Sequence, residues 1–399
     1  MRDAATADER RVETLEINVG PHHPSTHGVF RAILELDGEI VLNVTPYLGY
    51  LHRGYEKTCE AKTYHNVIPL AERCDYMGAS SNSFAFCVAA EKLMDVEVPP
   101  RAQTIRIMMA ELSRIFSHLF WLGTHAHDVG AMTPLFYCLR EREDIMNLFE
   151  LTAGGRLMPN YIRIGGVIAD LEEGFVERLR SFTDAFDGHV DEYETLLTKN
   201  AIYMDRTSGI GILTKEDAIA LGASGPMARA SGIAWDIRKS EPYSGYENYD
   251  FDIAVEYGCD VYSRYLVRMK EMRESNRILL QAIGRLEEGP IRATKPGFVF
   301  PPQEEIYTRS ESLIHHFMLV VEGVQPHKGG EVYQYIESPR GELGCYLVSD
   351  GGPKPYRLKW RAPAFVNLQT LAKMSQGAFL SDFIAILSSV DIVLAEVDR

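Results

Sequence analysis

Cysteine is scarce in this 399-residue chain: there are six, Cys59, Cys74, Cys87, Cys138, Cys259 and Cys345, and no two lie close together. That spacing argues against a disulfide scaffold and against any self-contained zinc or iron–sulfur site, both of which need clustered ligands. A reducing compartment is the simplest inference. Basic excess is missing too. Lys and Arg number 41 against 56 Asp and Glu, a formal charge of −15, so no nucleic-acid partner is expected. No apolar run reaches the roughly 18 residues of a membrane span; the longest candidate, "FIAILSSVDIVL", is broken by Ser388, Ser389 and Asp391. The opening "MRDAATADERR" lacks the apolar segment of a signal peptide. The chain is therefore expected to be soluble by itself and to meet a membrane only through partners. A G-x-S-x-G elbow is absent, and the glycine clusters "GGRL", "RIGGV" and "SDGGP" match neither the dinucleotide fingerprint nor the P-loop.

What is present is an ordinary globular composition, 46% apolar and 24% charged, with ample core for one large domain. "TLEINV" and "VFRAILEL" read as strands around a loop, "NVGPHHPSTHGV", that Pro21 and Pro24 stiffen; Asp37-Gly38 is a hairpin turn into "EIVLNV". Helices follow. Ile105, Met108, Leu112, Ile115 and Leu119 recur at helical spacing behind Pro99-Pro100. A second helix, "PLFYCLREREDIMNLFELTA", stops at Gly154-Gly155. A third, beginning at "DVYSRYL", is predicted to run to Gly289-Pro290, and a fourth covers "ESLIHHFMLVVEG". Residues 330–361 predict a small antiparallel sheet. The expectation is an α+β fold with a mainly helical core: a tail over 1–13, expected to be flexible, then one domain over 14–399 whose first strands, 14–45, carry the His-rich loop.

Two metal readings present themselves. His23 and His27 are four apart, but Pro24 and the loop context argue against the helix that would align them, and no carboxylate or thiol follows at ligand spacing. His125 and His127 in "HAHD" suit a metal only on a strand, whereas they end a helical segment. No metal is expected. The remaining chemistry is protonic: His27, Tyr76 and Asp128 form a candidate proton-donating set. Against this stand plain structural roles, namely a loop His bonded to a carbonyl, a packed Tyr, and an Asp capping the next turn.

The blocks "GPHHPSTHGV", "YLGYLHRGYEKT", "AERCDYMG", "PPRAQTIRIMMAELSRI", "THAHDVGAMTP", "YIRIGGV", "ASGIAWDIRKSEPYSGYENYDFD", "SPRGELGCYLVSDGG" and "RAPAFVNLQTL" resemble, in order and from about residue 14 onward, the D-subunit family of bacterial NADH-quinone oxidoreductase, respiratory complex I. That family is related to the large subunit of nickel–iron hydrogenases. The resemblance therefore implies a hydrogenase-large-subunit-like core. Asp75 and Gly78 stand where ligand thiols would be, with Tyr76 between them, and the C-terminal thiol pair is absent from "SVDIVLAEVDR". Nickel and iron would need those thiolates. The implied use of the old metal pocket is to hold a quinone headgroup.

By the same resemblance, His27 and Tyr76 hydrogen-bond the quinone carbonyls and Asp128 pairs with His27. Arg53 matches a position beside an iron–sulfur cluster of the neighbouring B-subunit, where its charge would raise the cluster's potential; its plain alternative is a surface ion pair. Many relatives carry a histidine near that cluster just before Tyr-Ile-Arg, and here "RLMPNYIR" has Met158. Methionine cannot titrate, so pH-coupled tuning from this position is expected to be missing, which favours a lower-potential cluster and menaquinone over ubiquinone. The implied activity is proton-translocating NADH:quinone reduction at the cytoplasmic face of the inner membrane, with subunits B, C, I and H as partners and no cofactor on this chain alone. Alternatives are a related complex fed by ferredoxin or reduced deazaflavin, and a non-catalytic assembly scaffold.

Overall fold

The computed structural model describes residues 14–399 apart from 24, 25, 27, 28, 296, 327 and 328. The tail over 1–13 and the histidine at 27 thus lie outside the described residues.

Three antiparallel strands, β1 (Leu15–Val19), β2 (Arg31–Asp37) and β3 (Ile40–Tyr47), open the fold in the order β1-β2-β3. Along β2 the apolar Ala32, Leu34 and Leu36 alternate inward and are buried, as the two-residue strand period requires. The Asp37-Gly38 turn is where the hairpin signal puts it, with Asp37 opposite Ile40. This sheet does not stand alone. Val41 N–H donates to the Ala378 carbonyl and Gly377 N–H to the Val41 carbonyl, both at 2.8 Å, so the first strands and the C-terminal helix Leu380–Val390 share one apolar cluster.

Helices α1 (Tyr55–Glu60), α2 (Tyr64–Cys74), α3 (Ala79–Met94), α4 (Pro100–Asp128) and α5 (Thr133–Ala153) follow. Pro100 takes the first position of α4, where its missing N–H costs nothing. The expected apolar stripe from Ile105 to Leu119 is fully buried. Yet the opposite face is buried as well: Arg106, Glu111, Arg114 and His118 lie inside, and each has a charged or polar partner, as buried charge demands. Arg106 meets Glu91 at 2.5 Å, and His118 Nε2 lies 2.8 Å from Glu271. Helix α5 ends as predicted, with Gly154 in the left-handed region (φ 70°).

After the two-residue strands β4 (Ile162–Arg163) and β5 (Gly166–Val167), α6 (Phe175–Leu197) packs on α5 and on the long helix Val261–Gly284. That long helix stops five residues short of the predicted Gly289-Pro290. Gly284 is a poor helix interior residue, and the next residue, Arg285, places its guanidinium 5.6 Å from the centre of the Tyr249 ring. Strands β6 (Glu331–Ser338), β7 (Gly341–Val348) and β8 (Arg357–Arg361) form the expected meander, and β6 and β7 pack on α3. The fold is α+β and mainly helical. No helix among the described residues is long and apolar enough to cross a membrane.

Candidate active site

The α2–α3 connection is built around one carboxylate. Asp75 leaves α2 in an extended conformation, and its Oδ1 accepts the N–H groups of Met77 and Gly78, both at 3.0 Å. The carboxylate thus closes the turn that leads into α3, bonding backbone N–H groups two and three residues on. Gly78 has to lack a side chain: a Cβ there would sit 2.6 Å from Asp75 Oδ2. That second oxygen accepts from Arg340 Nη1 at 2.6 Å. Arg340 sits in the β6–β7 turn, 2% exposed; its Nε donates to the Asp391 carbonyl at 2.9 Å, and Nη2 lies 3.4 Å from Asp391 Oδ1. One guanidinium thus joins the α2–α3 loop, the β6–β7 turn and the segment after the C-terminal helix.

Tyr76 rides on this frame, between Asp75 and Met77, and is partly exposed. Burial raises its pKa; Asp75 and Asp391 add to the rise, and Arg340 opposes it. The phenol is therefore a protonated donor at neutral pH.

Asp128 is the last residue of α4, not the cap of the next helix: α5 is preceded by Met132 and has no side-chain cap. Burial pushes the Asp128 carboxyl up to about 7. Among the described residues it has no hydrogen-bond or ion-pair partner, and the negative end of its own helix also disfavours the anion. Of the first loop, the flanks of His27 are described. Thr26 is buried, donating from Oγ1 to the His23 carbonyl at 2.7 Å, and Phe30 N–H donates to the Thr26 carbonyl at 3.2 Å.

Arg53 is exposed, and no carboxylate among the described residues pairs with it. Met158 is half-buried between α5 and β4. Among the described residues no hydrogen bond or ion pair joins Tyr76, Asp128, Arg53 and Met158 to one another.

The "HAHD" metal reading fails on geometry. His125 lies within α4, stacked on Trp121 at 4.9 Å, with Nδ1 2.6 Å from Ser388 Oγ; burial pushes its pKa down to about 3. No group of three or more His, Cys, Asp or Glu converges as metal ligands among the described residues. Sequence reasoning missed Arg340 and Asp391 as neighbours of Tyr76. It also missed Glu72 in α2, buried and pushed up to about 7 mainly by burial. A large cleft of about 760 Å³ lies elsewhere, lined by Phe300, Pro301, Pro302, Tyr307 and His315, and by none of the predicted site residues.

The family model described as the 49 kDa subunit of respiratory-chain NADH dehydrogenase matches residues 128–399. The chain belongs to this family. Near full-length relatives agree. The NADH-quinone oxidoreductase D-subunit of Geotalea uraniireducens is 52% identical over 387 residues, 97% of this chain and 99% of the relative. The Geobacter sulfurreducens protein of the same name is 51% identical with the same coverage, and the NADH-quinone oxidoreductase D-subunit 2 of Chloroflexus aurantiacus is 51% identical over 98% of this chain and 95% of its own. As a member of the 49 kDa family the chain is a complex I subunit, a component of an oxidoreductase complex. The family match begins at Asp128, while the relatives' coverage of 97–98% of the chain reaches well beyond it toward the N-terminus.

Proposed function

We propose that this chain is the quinone-binding catalytic subunit of the peripheral arm of complex I, a single hydrogenase-large-subunit-like domain over 14–399. Electrons come from an iron–sulfur cluster in the B-subunit, and the complex couples quinone reduction to proton translocation. Subunits C and I adjoin it, the membrane-embedded H-subunit lies beneath, and the assembly sits on the cytoplasmic face of the inner membrane. The observation that carries this reading is the Tyr76 phenol: protonated, partly exposed, and mounted on a loop closed by a buried ion pair.

Reduction to the quinol adds two electrons and two protons. Donors fixed where negative charge develops on the quinone oxygens stabilise that charge and supply the protons. Tyr76 offers an O–H and His27 an N–H. Asp128, pushed up to about 7 in its own surroundings, suits proton exchange at neutral pH. The pairing proposed between His27 and Asp128 orients the imidazole for donation. Arg53, unpaired within the described residues, offers its charge to the cluster in the B-subunit. Met158 contributes no titration there, which fits a lower-potential cluster and menaquinone.

Tyr76→Phe tests the reading. The phenyl ring keeps the packing and loses the donor, so donor-driven quinone reduction should fall by about a hundredfold or more in a fully assembled complex. An assembled variant with full turnover would favour the scaffold reading. A redox titration of the cluster should show no pH slope; the usual slope would remove the role given to Met158. Ferredoxin or reduced deazaflavin as donor is separated from NADH by assaying each with the same complex.

A further inference from the structure

We propose that Arg340 is a positioning residue for Tyr76, acting through Asp75: its guanidinium holds the one carboxylate that closes the Tyr76 loop, and so sets where the phenol is presented. The inference rests on the assignment of Tyr76 as a proton donor.

The geometry leaves Tyr76 little freedom at its base. The residue before it is Asp75, whose Oδ2 is bound by Arg340 at 2.6 Å; the residue after it is Met77, whose N–H is bound by Asp75 Oδ1 at 3.0 Å. Both flanks therefore depend on the same carboxylate, and that carboxylate depends on Arg340. The guanidinium cannot drift, because Nε and Nη2 are committed to Asp391, at 2.9 and 3.4 Å. A lysine could supply the charge at one point, but not the planar fork that reaches two segments at once.

Charge gives the arrangement a signature that a mere strut would lack. Around the phenol stand Asp75 on its own loop, Arg340 on the β6–β7 turn and Asp391 after the C-terminal helix. Glu396, in the final helix Leu394–Asp398, lies behind Asp75 and is pushed up to about 8 by burial, with Asp75 adding to the rise. Arg268 of the long helix faces Asp391. Asp75 and Asp391 favour the protonated phenol and Arg340 favours the phenolate, so deleting one sign or the other moves Tyr76 in opposite directions.

The test uses the assembled complex and a short-chain quinone, measuring kcat and KM against pH. Asp75→Asn keeps an amide oxygen for the Met77 and Gly78 N–H groups while removing the anion, and should move the alkaline limb of kcat to lower pH. Arg340→Gln should move it to higher pH and lower kcat about tenfold to a hundredfold, with KM changing much less; Arg340→Lys should restore part of kcat. Unshifted limbs and an unchanged kcat in assembled Arg340→Gln would overturn the proposal. If that variant does not assemble, an unshifted limb in Asp75→Asn overturns it equally. Full turnover in a parallel Tyr76→Phe complex would remove the underlying assignment as well. Loss of turnover in Tyr76→Phe beside unaffected Arg340 and Asp75 variants would remove the positioning role alone.

Discussion

Asp398 accepts the backbone N–H of Leu51 at 2.7 Å, and its other oxygen accepts that of Gly49 at 2.8 Å. The Asp398 carbonyl takes a third bond, from His52 Nδ1–H at 2.7 Å. The final helix thereby pins the loop that leads into Arg53, an exposed cation whose direction the loop must set. Asp398→Ala removes two charge-assisted bonds, a loss of about 1–3 kcal/mol in local stability. The Leu51 amide should then exchange with solvent about tenfold faster or more, while amides in the buried α4 stay protected. Unchanged exchange at Leu51 would mean that the strand and α1 flanking the loop hold it without Asp398.

Asp128 makes stability and pH move together in a particular direction. Its carboxyl is raised from the ordinary value of 3.8 to about 7 in the folded chain, so the native state holds a proton that the unfolded chain releases at lower pH. The stabilising contribution is complete below about 3.8 and is lost as pH rises through 7. Asp128→Asn abolishes this pH dependence. Thermal unfolding of the variant should match wild type near pH 4 and show a higher midpoint at pH 8, even as quinone reduction falls. A midpoint lowered at pH 8 would show that the ionised carboxylate has a stabilising partner.

Local pattern was legible and long-range pairing was not. The helical spacing of Ile105, Met108, Leu112, Ile115 and Leu119 identified α4, and all five are buried. The Asp37-Gly38 turn and the β6–β8 meander were equally plain, because backbone preference and alternation act over a few residues. On the same α4, however, Glu111, Arg114 and His118 are buried too, which the spacing of the apolar residues does not announce. What allows their burial is partners far along the chain: Arg238 for Glu111, the Ser338 and Glu337 carbonyls for Arg114, and Glu271 for His118. The site divides in the same way. Tyr76 and Asp128 were picked out by their motifs, while Arg340 was invisible beside Tyr76, since nothing in "SPRGELG" announces a partner in "ERCDYMG". The end of the long helix was misjudged for a local reason, a strong Gly-Pro stop at 289–290 that hid the weaker one at Gly284.

Glu271 joins two buried basic side chains and is therefore costly to lose. It accepts from His118 Nε2 at 2.8 Å and from Arg229 Nε at 2.9 Å, and Arg229 in turn reaches Glu337 at 2.8 Å. Burial favours the neutral His118 ring, which donates its Nε2–H; burial alone would raise the Glu271 carboxyl, but Arg229, the His118 hydrogen bond and Arg114 together hold it well below the ordinary range. Glu271→Gln leaves Arg229 buried with less compensating charge, a loss of about 3–5 kcal/mol. A depressed carboxylate contributes above its unfolded pKa and loses that contribution as pH falls. The variant should therefore unfold at a lower temperature at pH 7, with the gap to wild type narrowing in acid. A gap independent of pH would assign the loss to packing and not to charge.

Gly225 tests whether the turn that carries Arg340 tolerates displacement. Its φ is 64°, and a Cβ there would meet Gly341 Cα at 2.5 Å and the Arg340 carbonyl oxygen at 2.6 Å. These are backbone atoms, so no rotamer change relieves the contact. Left-handed strain of about 1–2 kcal/mol adds to an overpacking cost of about 1–3 kcal/mol in Gly225→Ala. The turn can relieve the clash only by moving away, and that motion draws Arg340 from Asp75, now at 2.6 Å. Gly225→Ala should lower both the thermal midpoint and quinone turnover, whereas a strained site remote from Arg340 would lower the midpoint alone. Full turnover in a folded Gly225→Ala complex would show that the β6–β7 turn yields without carrying Arg340 with it.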